Sequence, residues 1–85
     1  MIRYKIRELM ADYQFRMGCR LTFEELAKAT GIHRTTLSKI ANTRSYNTTT
    51  DNIDRLCEFF ECQVGDLMQY LDKDQVEPLE RPKGK

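Results

Sequence analysis

Apolar residues recur at Ile2, Ile6, Leu9, Met10, Tyr13 and Met17, a spacing that gathers them on one face of a helix. Gly18 follows, and a glycine there supplies the left-handed residue that ends a helix. Ile2, Tyr4 and Ile6 also alternate as a strand would, so an early helix start and a short β segment over residues 2–4 both fit the pattern. Thr22 with Glu25 three residues on forms a capping box, in which hydroxyl and carboxylate each satisfy an orphan backbone donor; Leu21 stands where a hydrophobic staple packs. A second helix is therefore expected over about Phe23–Thr30. Gly31 ends it and Ile32 turns inward. Helical spacing then resumes from Arg34 to Ala41, with Leu37 and Ile40 on the buried side and His33 as the N-cap.

The run from Asn42 to Thr50 is rich in Asn, Thr and Ser, which bond their own backbone, and reads as an exposed loop. Thr50 is expected to cap a fourth helix whose apolar face is Ile53, Leu56, Cys57 and Phe60. Cys62 to Gly65 link it to a fifth helix over about Val64–Tyr70. From Asp72 onward the chain is charged, contains Pro78 and Pro82, and has little apolar surface to offset the entropy of ordering. The expected organisation is one folded domain over residues 1–71 and a mobile tail over 72–85. The expected core is Leu9, Leu26, Ala27, Ile32, Leu37, Ile40, Ile53, Leu56, Phe60 and Leu67.

Eighty-five residues, 40% hydrophobic and 32% charged, suit a single small helical globule and exclude a large multi-step enzyme. No run approaches 18 apolar residues and no signal-peptide pattern opens the chain, so it reads as cytoplasmic, with no membrane partner. Cys19, Cys57 and Cys62 make an odd set without a C-x-x-C pair, which argues for reduced thiols and against a zinc knuckle.

The net charge of +1 conceals an asymmetry. Residues 1–25 carry a net +1, residues 26–50 a net +4 with no acidic residue, and residues 51–85 a net −4. The acid-free stretch holds Lys28, Arg34, Lys39, Arg44 and the lone histidine, His33. A positive patch of this kind attracts a polyanion, although chance clustering on a solvated face produces the same count.

The order of residues from Phe23 to Ile40 is more specific than the number of helices. Leu26, Ile32, Leu37 and Ile40 point inward, Ala27 sits where two helices must approach closely, and Gly31 occupies a turn needing positive φ, which together are helix-turn-helix requirements. In the segment LTFEELAKATGIHRTTLSKIANTRS, and in the following helix pair ending VGDLMQYL, the sequence resembles the Cro and lambda-repressor-like (Xre-type) DNA-binding family. The resemblance spans about residues 4–71. It implies an all-α, compact five-helix helix-turn-helix domain, whose third helix enters the major groove of double-stranded DNA while the second crosses the backbone. Carried over residue by residue, it makes Arg34, Thr35, Ser38 and Lys39 the base readers. Thr22, Asn42 and Arg44 become phosphate contacts, with Lys28 as a further phosphate helper and His33 as either a cap or a phosphate contact. Arg can donate two parallel bonds to guanine O6 and N7, and a Thr methyl can meet a thymine methyl. Two positions depart from the family. Phe23 stands where an amide often bonds phosphate and is expected to pack as core, and Thr43 stands where many members have Gly, so a different loop path is expected.

His33 has no metal or triad context, the carboxylate pairs Glu24/Glu25 and Asp72/Asp74 are adjacent only in sequence, and no Walker loop, dinucleotide fingerprint, nucleophile elbow or HExxH motif occurs. No enzyme, cofactor or metal is expected. The expected function is sequence-specific transcription regulation. The alternative is the same fold used as an antitoxin or adaptor, for which the acidic carboxyl third speaks. Phe59, Val64, Met68 and Tyr70, on and near the last two helices, are candidates for a homodimer patch. Ile2 and Tyr4 can pair with residues near Tyr70 within one chain or between two.

Overall fold

The computed structural model describes residues 1–44 and 46–72. Strand β1 (Ile2–Tyr4) leads into α1 (Ile6–Met17), α2 (Phe23–Thr30), α3 (Arg34–Asn42), α4 (Thr50–Phe60), the single turn α5 (Val64–Leu67), and β2 (Met68–Tyr70). The alternation at the amino terminus therefore resolves as a strand. β1 pairs antiparallel with β2, Ile2 opposite Tyr70 and Tyr4 opposite Met68. Backbone bonds extend the pairing at both ends, from Lys5 N–H to the Leu67 carbonyl at 2.6 Å and from Leu71 N–H to the Met1 carbonyl at 2.8 Å. The pairing is within one chain.

The fifth helix is shorter than expected. It stops at Leu67, and Met68 turns extended (φ −118°, ψ 143°) because β1 offers a ladder that continuing the helix would forgo. The fourth helix is capped by Thr49 rather than Thr50: the Thr49 hydroxyl accepts from Asn52 N–H at 3.1 Å, so Thr50 becomes the first helical residue. Its far end is closed by Glu61 at φ 54°, with Cys62 N–H reaching back to the Cys57 carbonyl at 3.0 Å. His33 occupies the N-cap position of α3 but its side chain makes no capping bond. Gly18 and Gly31 both take the left-handed conformation that ends α1 and α2.

Ile6, Met10, Leu21, Leu26, Ile32, Leu37, Ile40, Ile53, Leu56, Phe60 and Leu67 form one buried cluster. Leu9 and Ala27, expected inside, sit half-buried at its rim, whereas Ile6, Met10 and Leu21 go to the centre. Met17 continues the spacing of the α1 face yet is 58% exposed, because the last turn of α1 runs past the core. Cys57 is half-buried against the core rather than inside it, and Cys62 packs there as well. Among the described residues no polar side chain is buried, and no helix is long and apolar enough to cross a membrane. The expected tail falls, after Asp72, outside the described residues.

Candidate nucleic-acid interface

Helices α2 and α3 meet through a turn that several independent interactions hold. At the start of α2 the capping box is complete: the Thr22 hydroxyl accepts from Glu25 N–H at 3.1 Å, and the Glu25 carboxylate accepts from Thr22 N–H at 3.2 Å. Leu21 and Leu26 both enter the core on the inner side of this cap. At the far end, Gly31 at φ 79° returns its N–H to the Ala27 carbonyl at 2.8 Å. Arg55, reaching across from α4, donates Nη1 to the carbonyls of Thr30 and Gly31 at 3.3 and 3.4 Å, and its Nε lies 3.1 Å from the Asp51 carboxylate. The guanidinium thereby satisfies carbonyls that the end of α2 leaves without helical partners.

Burying Leu37 and Ile40 fixes the rotation of α3. The same rotation turns Arg34, Thr35 and Lys39 to the solvent, with Ser38 half-buried between them. The four expected base readers therefore share one side, since i, i+1, i+4 and i+5 lie close together around a helix. Asn42 adds the next turn, its Nδ2 donating to Ser38 Oγ at 3.2 Å. His33 and Lys28 are exposed, one just before α3 and the other in the last turn of α2. Arg44 is exposed beyond α3, its Nη2 3.4 Å from Met1 Sδ. Thr43 leaves the helix extended (φ −105°, ψ 120°), so the chain takes no left-handed turn there and avoids the strain a branched side chain would meet.

Phe23 is half-buried and packs on the core. Its ring also carries a residue that sequence reasoning passed over: the Arg7 guanidinium lies 5.7 Å from the ring centroid, and Arg7 Nη2 donates to Asn42 Oδ1. Arg7 thus joins α1 to the start of α2 and the end of α3. An open cleft beside it is lined by Arg7, Met10, Gln14, Arg20, Leu21, Thr22 and Phe23. The only signal in the sequence was position, because Arg7 follows the most deeply buried residue of α1, Ile6, and so faces outward. Among the described residues no group of three or more His, Cys, Asp or Glu is placed to hold a metal ion.

A tightly turned pair of helices, with the second presenting a polar and basic row, is the arrangement described by the profile of a Cro/C1-type HTH DNA-binding domain, which matches residues 5–73. The chain belongs to that family. No significant match occurs among curated proteins or solved structures. Membership makes DNA the partner of this Cro/C1-type domain and regulation of transcription its setting.

Proposed function

We propose that this Cro/C1-type domain is a sequence-specific, double-stranded DNA-binding transcriptional regulator of the Xre type that reads the major groove with α3. The observation that carries the reading is the solvent-facing row of Arg34, Thr35, Ser38 and Lys39 on a helix whose rotation is fixed by Leu37 and Ile40. Its amino-terminal residues are the ones that reach base edges in this docking mode. Asn42, Arg44, Thr22, His33 and Lys28 surround the row as phosphate contacts, and residues 26–50 contain no carboxylate to repel the backbone. The proposed domain ends near residue 71.

Selection of bound fragments from a random duplex pool, followed by titration of the selected site at several salt concentrations, tests this reading. Arg34→Ala should weaken specific binding by about 1 to 3 kcal/mol and relax preference at one base position. Arg44→Ala should instead lower affinity for every duplex and reduce the salt slope by about one unit. Wild-type behaviour of both variants on all duplexes would refute the assignment. An adaptor using the same fold would show little salt-dependent duplex binding at all.

One recognition helix covers few base pairs, and family members pair on half-sites about 34 Å apart. We propose a homodimer through the α4–α5 side. Val64 on α5 and Tyr70 on β2 are 54% and 67% exposed, and Phe59 and Met68 are half-buried against the core. Sedimentation with and without the selected duplex should show two chains per site, and a strict one-to-one complex would rule the dimer out.

A further inference from the structure

Arg7 is held differently from Arg3, Arg16 and Arg55. Arg3 pairs with Glu8, Arg16 with Asp12 and Arg55 with Asp51. Arg7 instead rests on the Phe23 ring and bonds the Asn42 amide, two neutral partners, and among the described residues it meets no carboxylate. Neither partner cancels its charge. Both restrict its side chain, so less rotamer entropy remains to be lost when it meets an anion. A guanidinium offers five N–H donors, and one bond to Asn42 leaves donors for a second acceptor.

The surroundings indicate which acceptor. The backbone N–H groups of Thr22 and Glu25 are engaged in the capping box, where the Thr22 hydroxyl accepts and keeps its own proton to donate, and the Glu25 carboxylate brings negative charge to the start of α2. Close to that carboxylate, a cation adds to what the remaining donors of the helix end offer an anion. Arg7 and Arg20 line the same open cleft beside Thr22 and Phe23. From Arg7 the hydrogen bonds continue through Asn42 to Ser38, on the outward row of α3.

We propose that Arg7, seated on Phe23 and tethered to Asn42, binds a phosphodiester of the DNA backbone between the start of α2 and the end of α3, with Arg20 lining the same cleft. This subsite rests on the DNA-binding reading above. Its contact is blind to sequence, and by holding Asn42 it also couples the backbone to Ser38.

The test is the salt dependence of duplex binding by the full chain. Arg7→Gln keeps an N–H donor for Asn42 but removes the charge, whereas Arg7→Met keeps the alkyl packing on Phe23. Whichever of them melts like wild type should show a salt slope lower by about one unit and the same fold-loss on selected and scrambled duplexes. A wild-type slope in a folded neutral variant would overturn the proposal, as would unfolding of both variants, which would mark Arg7 as structural. Absence of salt-dependent binding by the wild-type protein is a separate outcome, visible before any variant is made, and it would remove the DNA-binding reading itself.

Discussion

The α2–turn–α3 unit and the closure formed by β1, α5 and β2 are built on opposite principles. In the first, the contacts that set the geometry lie close together in sequence: Thr22 with Glu25, Gly31 with Ala27, and Ile32 N–H with the Thr30 hydroxyl at 3.3 Å. In the second they join residues far apart in sequence. Arg3 faces Gln69, Lys5 bonds Leu67 and Tyr4 Oη donates to the Tyr46 carbonyl at 2.8 Å. The two halves share the core, since Leu37 and Leu67 belong to one buried cluster. Local contacts close short loops at small entropic cost, whereas pairing residues 2–4 with residues 68–70 closes a long one. The helix-turn-helix should therefore be the more persistent half, and the strand pair the part that opens first.

Leu37→Ala should have the largest effect. The side chain is fully buried between α3 and the core, and truncating it removes transfer energy and leaves a cavity, a loss of about 2 to 5 kcal/mol. Denaturant melts measure it directly. A smaller cost than for truncating the exposed Val64 would contradict the placement of the core.

Gly31→Ala comes next. A methyl group there would be held at φ 79° and would stand 2.8 Å from Arg55 Nη1, so the backbone strain of about 1 to 2 kcal/mol adds to displacement of the Arg55 head. The sharper readout is exchange of the Ile32 amide, which should accelerate more than that of Leu71. The reverse order would break the distinction between the two halves.

Tyr4→Phe should cost about 1 kcal/mol through the lost bond to Tyr46. Its signature is local, with faster exchange at Lys5 and Leu71 and little change at Ile32. Alkali should probe the same half. Burial raises the Tyr4 phenol above its usual 10.0, and burial together with neighbouring Cys57 pushes the Cys62 thiol from 9.0 up to about 11. In each case folding favours the protonated form. The contribution of Cys62 is complete below pH 9 and disappears as pH rises towards 11, and that of Tyr4 is complete below 10 and disappears above it. Melting temperature should fall over that range, and less so in Tyr4→Phe. An unchanged melting temperature from pH 8 to 11 would contradict the linkage.

How much of this was legible in the sequence follows the same division. The capping box, the Gly31 stop and the inward residues of α2 and α3 could be read because each signal lies within a few residues of its effect. The second strand could not. Val64 to Tyr70 continues an apolar pattern that suits a helix, and the partner that draws Met68 into a ladder lies more than sixty residues away. Thr49 and Thr50 were indistinguishable because successive threonines offer the same hydroxyl. The row on α3 was legible from the buried positions it opposes. Arg7 was not, since its partners Phe23 and Asn42 come from two other helices.

The three thiols have unequal access to solvent. Cys19 is exposed in the link between α1 and α2, whereas Cys57 and Cys62 are half-buried at the α4 end. A thiol reacts as its thiolate and only where reagent can reach it, so a maleimide at neutral pH should modify Cys19 well ahead of Cys62. Cys19 directly precedes Arg20 on the rim of the basic cleft. The protein therefore carries its own attachment point for a fluorescent reporter, placed where docking of a duplex would change the dye's mobility without any engineered cysteine.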